Sequence, residues 1–203
     1  MGAGYVHDDR RLPDKKRLLM NLRLTLGLAL SAALLTTTAE ATPAPDALTP
    51  LLNAIGERIA IADQVALSKW DSHKPVEDRQ REREVIAAAV AQAPVYKLSG
   101  ETVEAFFSAQ IEANKLVQYI DLSDWTLEGK APDLPRPDLV GQIRPQLDRL
   151  QKRLLQQLAD FAPYRTDPQC PQWLARATHN DKQHPVHRLA LIRATAELCL
   201  TKS

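Results

Sequence analysis

Glycine and aromatic residues are scarce, with seven glycines and 5% aromatics in 203 residues. That leaves little of the turn chemistry and few of the cross-strand ring pairs on which sheets depend. Charge of one sign is missing too: a formal net charge of +1 excludes the strong bias that nucleic acid, a membrane surface or a polyanionic partner would call for. No apolar run is long, since the best, over residues 24–35, falls short of the roughly 20 residues a spanning helix needs. Ala, Leu, Gln, Glu and Arg are plentiful, and they lose little rotamer freedom in a helix. The fold class expected is therefore all-α. The roughly 160 residues after the N-terminal segment are enough for one domain with a sizeable core.

The N-terminus reads as an address. Lys15, Lys16, Arg17 and Arg23 precede the apolar run, and small residues ending in Ala39-Glu40-Ala41 follow it, the pattern of a signal peptide cut after Ala41. Residues 1–41 are thus expected to be a signal peptide and residues 42–203 the functional domain, periplasmic or secreted, with no stable membrane association after cleavage. Met20 is an alternative start, which would make residues 1–19 an upstream extension. The only cysteines, Cys170 and Cys199, lie downstream of the cut. An even pair in an oxidising compartment most simply forms one disulfide, closing a loop of about 30 residues worth roughly 3 kcal/mol; the alternative is two inert thiols. His179, His184 and His187 show no zinc-type spacing with the cysteines, so no metal is expected.

Pro43, Pro45 and Pro50 suggest a flexible leader. After it, Leu51, Leu52, Ile55, Ile59, Ala62, Val65 and Ala66 recur at helical spacing up to Trp70. Pro75 breaks this long first helix, and a second begins near Asp78 and runs to about Gln92. Ser99-Gly100-Glu101-Thr102 opens a third, carrying Val103, Phe106, Phe107, Ile111 and Val117 to about Ile120. Pro132, Pro135 and Pro137 make residues 128–137 an extended crossover. Ile143, Leu147, Leu150, Leu154, Leu158 and Phe161 mark the fourth helix, and shorter helices at about 171–179 and 186–201 bring the bundle to about six.

Several polar residues sit on these apolar stripes. At 100° per residue, Arg58 and Lys69 point nearly the same way, with Leu51, Ile55, Ala62 and Val65. Phe107, Ile111, Asn114 and Gln118 put an amide pair on one face of the third helix, and Arg153 stands beside Leu150 and Leu154. Each cation taken singly is explained by snorkelling to water. Several on facing stripes, with too few carboxylates committed to them, point instead to an anionic ligand that completes the pairing. The charged stretch from Lys74 to Glu84 is by itself a solvated face, but it surrounds a helix start, where Asp78 can cap and Arg81 can reach an anion.

The stretches Arg58-Ile59-Ala60-Ile61-Ala62-Asp63 through Lys69-Trp70, Pro75-Val76-Glu77-Asp78 through Arg81-Glu82, and Phe106-Phe107 through Gln110-Ile111-Glu112-Ala113-Asn114-Lys115 to Gln118-Tyr119 resemble the secreted, gamma-type subclass of the all-α chorismate mutases. The export signal, Arg153 and the cysteine pair resemble it too. The resemblance implies a Claisen rearrangement of chorismate to prephenate without cofactor. It implies that Lys69 and Gln118 donate to the ether oxygen, that Arg58 and Arg153 clamp the carboxylates with support from Arg81, and that Asp78 and Glu82 partner the hydroxyl. Asn114 falls on the carboxylate side. It also implies a site complete within one chain, so that a homodimer is compatible with the chemistry without being required by it. The rival readings are an isochorismate pyruvate lyase and a non-catalytic exported helical binding protein.

Overall fold

A computed structural model describes residues 42–179 and 184–200; the expected signal segment lies outside the described residues. Among the described residues six α-helices follow in order: α1 (Leu48–Ser72), α2 (Arg79–Gln92), α3 (Gly100–Glu128), α4 (Arg144–Phe161), α5 (Cys170–Thr178) and α6 (Pro185–Ala194). Short 3₁₀ turns at Ala93–Tyr96 and Ala162–Tyr164 and a π-helical turn at Leu139–Ile143 complete the regular structure. The architecture is the expected all-α bundle with a long first helix. None of the described helices is long and apolar enough to cross a membrane.

The helix ends follow from local chemistry. Asp78 Oδ1 accepts from the Arg81 amide at 3.1 Å, while the Asp78 amide donates to Glu82 Oε1 at 3.2 Å, a reciprocal cap that satisfies two otherwise orphaned donors. Ser99 Oγ accepts from the Thr102 amide at 3.1 Å and starts α3. Gly129, at φ 73°, ends it in the left-handed conformation that only glycine adopts without strain.

The third helix outlasts its expected end near Ile120 by eight residues. Arg58 meets Asn114 and Trp70 meets Trp125 edge-on, with ring centroids 6.0 Å apart, so α1 and α3 run parallel. The far end of α1 thus gives Trp125 a packing partner, and tertiary contact extends a helix whose own polar sequence would let it fray. Phe106 and Phe107 from α3, Leu51 and Ile55 from α1, and Leu154, Leu158 and Phe161 from α4 fill the core, all fully buried.

Both ends of the domain differ from expectation. The leader is docked rather than free: Thr42 is held by Trp173 Nε1, which donates to its carbonyl at 2.9 Å, and by Gln169 Nε2, which donates to its hydroxyl at 2.9 Å. Helix α1 begins at Leu48, with Pro50 in the first turn, where a missing amide proton costs nothing. The last helix stops at Ala194 instead of about 201. Thr195 Oγ1 turns back to the Leu191 carbonyl at 2.9 Å, and the buried Arg165 guanidinium donates to the carbonyls of Glu197 and Leu198 at 2.9 and 3.0 Å. Cys199 is drawn to Cys170 in a disulfide with a Cα separation of 5.7 Å. The short α5 is thereby stapled to the chain end.

At the α1, α3 and α6 junction Asp63, Asp121 and His187 meet, with His187 Nε2 2.9 Å from Asp63 Oδ1. Burial, and then the Asp63 carboxylate, push the Asp121 carboxyl up to about 6 from 3.8, against the opposing pull of His187. The folded chain therefore holds a proton that the unfolded chain releases between those two values, and this contribution to stability is lost as pH rises through about 6. Asp121→Asn should melt about 2–4 °C above the parent at pH 7.5, with the gap shrinking to roughly a third of that at pH 4.5. Equal shifts at both pH values in thermal melts would show that the proton is not the cause.

Candidate active site

A cleft opens between α1, α2, α3 and α4. Arg58, Val65 and Lys69 line it from α1, and Val76, Asp78, Arg81, Glu82 and Val85 from the turn and α2. Ile111, Asn114, Lys115 and Gln118 come from α3, and Leu139, Arg144, Leu147, Asp148 and Gln151 from the π turn and α4. Seven of the eight residues proposed from sequence to act on a ligand meet there: Arg58, Lys69, Asp78, Arg81, Glu82, Asn114 and Gln118.

The amide pair is oriented from the backbone outward. The Arg58 carbonyl can only accept, so Asn114 turns Nδ2 toward it at 3.1 Å, which leaves Asn114 Oδ1 to accept from Gln118 Nε2 at 2.7 Å. Gln118 Nε2 also donates to the Asn114 carbonyl at 3.3 Å, and Gln118 Oε1 is buried without a partner among the described residues. The hydrogen-bonding order thus sets which atoms face the cleft.

Arg58 is the most exposed to electrostatic cost. Only 6% of its surface reaches solvent, its Nε has no partner among the described residues, and burial lowers it to about 10. Lys69 donates to the Val76 carbonyl, which ties the turn before α2 to α1. Burial lowers the Lys69 ammonium below its usual range, Asp78 and Glu82 oppose that, and Lys115 adds to it. Arg81 has only a loose ion pair, 3.6 Å from Glu84 on its own helix. Five cations (Arg58, Lys69, Arg81, Lys115, Arg144) and three carboxylates (Asp78, Glu82, Asp148) line the cleft, and Glu84 and Glu112 beside it pair with Arg81 and Lys115. Arg58, Lys69 and Arg144 have no ion pair among the described residues, and partly buried cations in that state favour an anionic guest.

Arg153 does not join them. It is exposed, ion-paired with Glu57, and belongs to a separate shallow cleft with Gln146, Arg149 and Leu150. The cation that α4 contributes is Arg144, nine residues earlier and therefore about half a turn round the helix, so the two cannot enter one cleft. Arg144, Leu147, Asp148 and Gln151 recur at i, i+3, i+4 and i+7, a stripe visible in the sequence once Arg144 is taken as its first member. Lys115 and Gln151 were also missed. Lys115 lay in plain view next to Asn114, and Gln151 is buried with only 8% of its surface exposed.

Comparison with known proteins gives this geometry its family. Residues 49–119 match the model of chorismate mutase type II, a span that holds all seven of the converging residues and ends before Arg144. The chain is 33% identical over 156 residues to the secreted chorismate mutase of Mycolicibacterium smegmatis, covering 75% of this chain and 86% of that one. It is 31% identical over 157 residues to the secreted chorismate mutase of Mycobacterium tuberculosis, covering 75% and 78%. Among solved structures, the chorismate mutase of Burkholderia phymatum superposes with a TM-score of 0.73 at 43% identity, covering 77% of this chain and 98% of that one. The matched motif span, the identity to these relatives over three-quarters of the chain and the shared all-α fold make the protein a member of the chorismate mutase family, in its exported all-α branch.

Proposed function

We propose that the cleft binds chorismate as its dianion and rearranges it to prephenate, with Arg58 and Arg144 clamping the two carboxylates. The observation that carries this reading is Arg58, a buried guanidinium with no ion pair among the described residues, in a cleft that Lys69 and Arg144 also line. Guanidinium forks match carboxylate geometry in a way an ammonium does not. Arg81 supports the clamp, and Asn114 lies on the carboxylate side, where its bond to the Arg58 carbonyl steadies that arginine's backbone.

The reaction breaks one C–O bond and makes one C–C bond in a single cyclic step, moving no proton and needing no cofactor. The protein can therefore contribute only conformation and charge. Negative charge grows on the ether oxygen as its bond breaks. Lys69 Nζ keeps two donors after its bond to Val76, Gln118 Nε2 turns the proton of its long 3.3 Å bond to the Asn114 carbonyl toward the ether oxygen, and both residues line the cleft. Asp78 and Glu82, fixed to each other by the reciprocal cap, are the acceptors for the hydroxyl. Every group comes from one chain, and residues 42–203 form the exported domain once the signal peptide is cut after Ala41.

Incubating the protein from Thr42 onward with chorismate should yield prephenate and no pyruvate. Pyruvate release from isochorismate would assign the lyase instead, and binding without turnover would leave a binding protein. Gln118→Glu tests the donor role directly. A neutral amide donates at any ordinary pH, whereas a carboxyl donates only when protonated, so turnover at pH 7 should fall about 10²–10³-fold and recover as the pH is lowered. A flat pH profile for that variant would contradict the role.

A further inference from the structure

Lys115 belongs to none of the roles above, yet its side chain is only 13% exposed and reaches across to α2. Its Nζ lies 3.2 Å from Glu82 Oε2 and 2.7 Å from Glu112 Oε1. The other oxygen of Glu82 accepts from the Asp78 amide. Glu82 is therefore held at both ends, by the backbone at the start of α2 and by a cation on α3. Lys115 also lines the cleft. Paired with Glu112 alone it would be an ordinary i, i+3 pair on a helix surface, worth little. The link to Glu82 joins two helices through a residue of the site.

We propose that Lys115 is a positioning residue: it fixes the Glu82 carboxylate against the start of α2 and offsets the charge of that carboxylate beside a dianionic substrate. The inference rests on the reading of the cleft as a chorismate site. Its consequence for Lys69 can be measured. Lys69 shares the cleft with Arg58 from α1, Asp78, Arg81 and Glu82 from the start of α2, Lys115 from α3, and Arg144 and Asp148 from α4, and of these Asp78, Glu82 and Lys115 act on its charge. Removing the Lys115 charge relieves a repulsion, so Lys69 holds its proton to higher pH. Lys115 itself stays charged through that range: burial alone would lower it, but its bonds to Glu112 and Glu82 raise it.

The test compares Lys115→Met and Lys115→Arg with the parent. Lys115→Met should raise KM for chorismate about tenfold with a smaller change in kcat, and should move the alkaline limb of kcat/KM to higher pH. Lys115→Arg should restore both. A purely structural lysine predicts the opposite pattern, a lowered melting temperature with KM and the alkaline limb unmoved, and that outcome would overturn the proposal. If the parent turns over no chorismate, the site reading has failed. The role of Lys115 is then read from calorimetric binding of isophthalate, a rigid aromatic dianion: a Kd about tenfold higher in Lys115→Met supports it, and an unchanged Kd overturns it.

Discussion

Replacing Lys69 with alanine is expected to lower kcat by at least about 10²–10³-fold, the usual cost of losing one preorganised donor to a developing oxyanion. The loss should fall on kcat more than on KM, because the ether oxygen carries its charge only in the transition state. Lys69 also anchors the Val76 carbonyl, and Val76 is itself buried, so part of the loss could come from a loosened turn. Lys69→Met separates the two: it keeps most of the packing stem, and its melting temperature should stay within a few degrees of the parent while turnover remains low. The protonated ammonium is the active form. Since burial lowers its pKa, activity in the parent is present at neutral pH and lost as pH rises toward the alkaline range, with the limb below that of an exposed lysine. Near-native turnover in Lys69→Met would sink the assignment.

Arg58→Met is expected to separate activity from stability. Truncating one partner of a buried charge pair costs about 2–5 kcal/mol in binding, so kcat/KM should fall between about thirtyfold and several thousandfold. The unliganded protein, by contrast, carries a buried cation with no ion pair among the described residues, and replacing it with an apolar chain of similar length should leave the melting temperature level or higher. Arg144→Ala should lose kcat/KM on a similar scale. Arg153→Ala, which removes only an exposed ion pair with Glu57, should stay within a factor of about three. A large loss at Arg153 with none at Arg144 would reverse the choice made from the cleft. Chorismate-loss assays beside thermal melts decide all three.

The contrast between Arg144 and Arg153 shows how far helical periodicity reaches. Arg58 with Lys69, and Asn114 with Gln118, were legible because each pair lies within a stripe whose apolar members leave no doubt about its inward side. On α4 the apolar face is broad, running from Leu147 through Leu150, Leu154 and Leu158, and an arginine stands at either margin. Spacing alone says that both border the core; it does not say which margin meets α1 and α3. Lys115 was missed for a related reason. It is one residue from Asn114, about 100° round the helix, where a lysine normally points to water, and only the approach of α2 brings Glu82 within reach of it.

The sequence by itself determined the helical class, the caps at Asp78 and Ser99 and the inward direction of four site residues, because these depend on interactions within a few turns of chain. It also carried the family motif within residues 49–119. The tertiary structure decided the rest. Packing of Trp125 on Trp70 extended α3, Arg165 and the disulfide ended α6 early, and the docking of Thr42 ordered the leader. The rotation of α4 about its own axis placed Arg144 in the cleft and turned Arg153 away. Each of these depends on which surfaces of distant segments meet, and that is settled by the packing of the whole core.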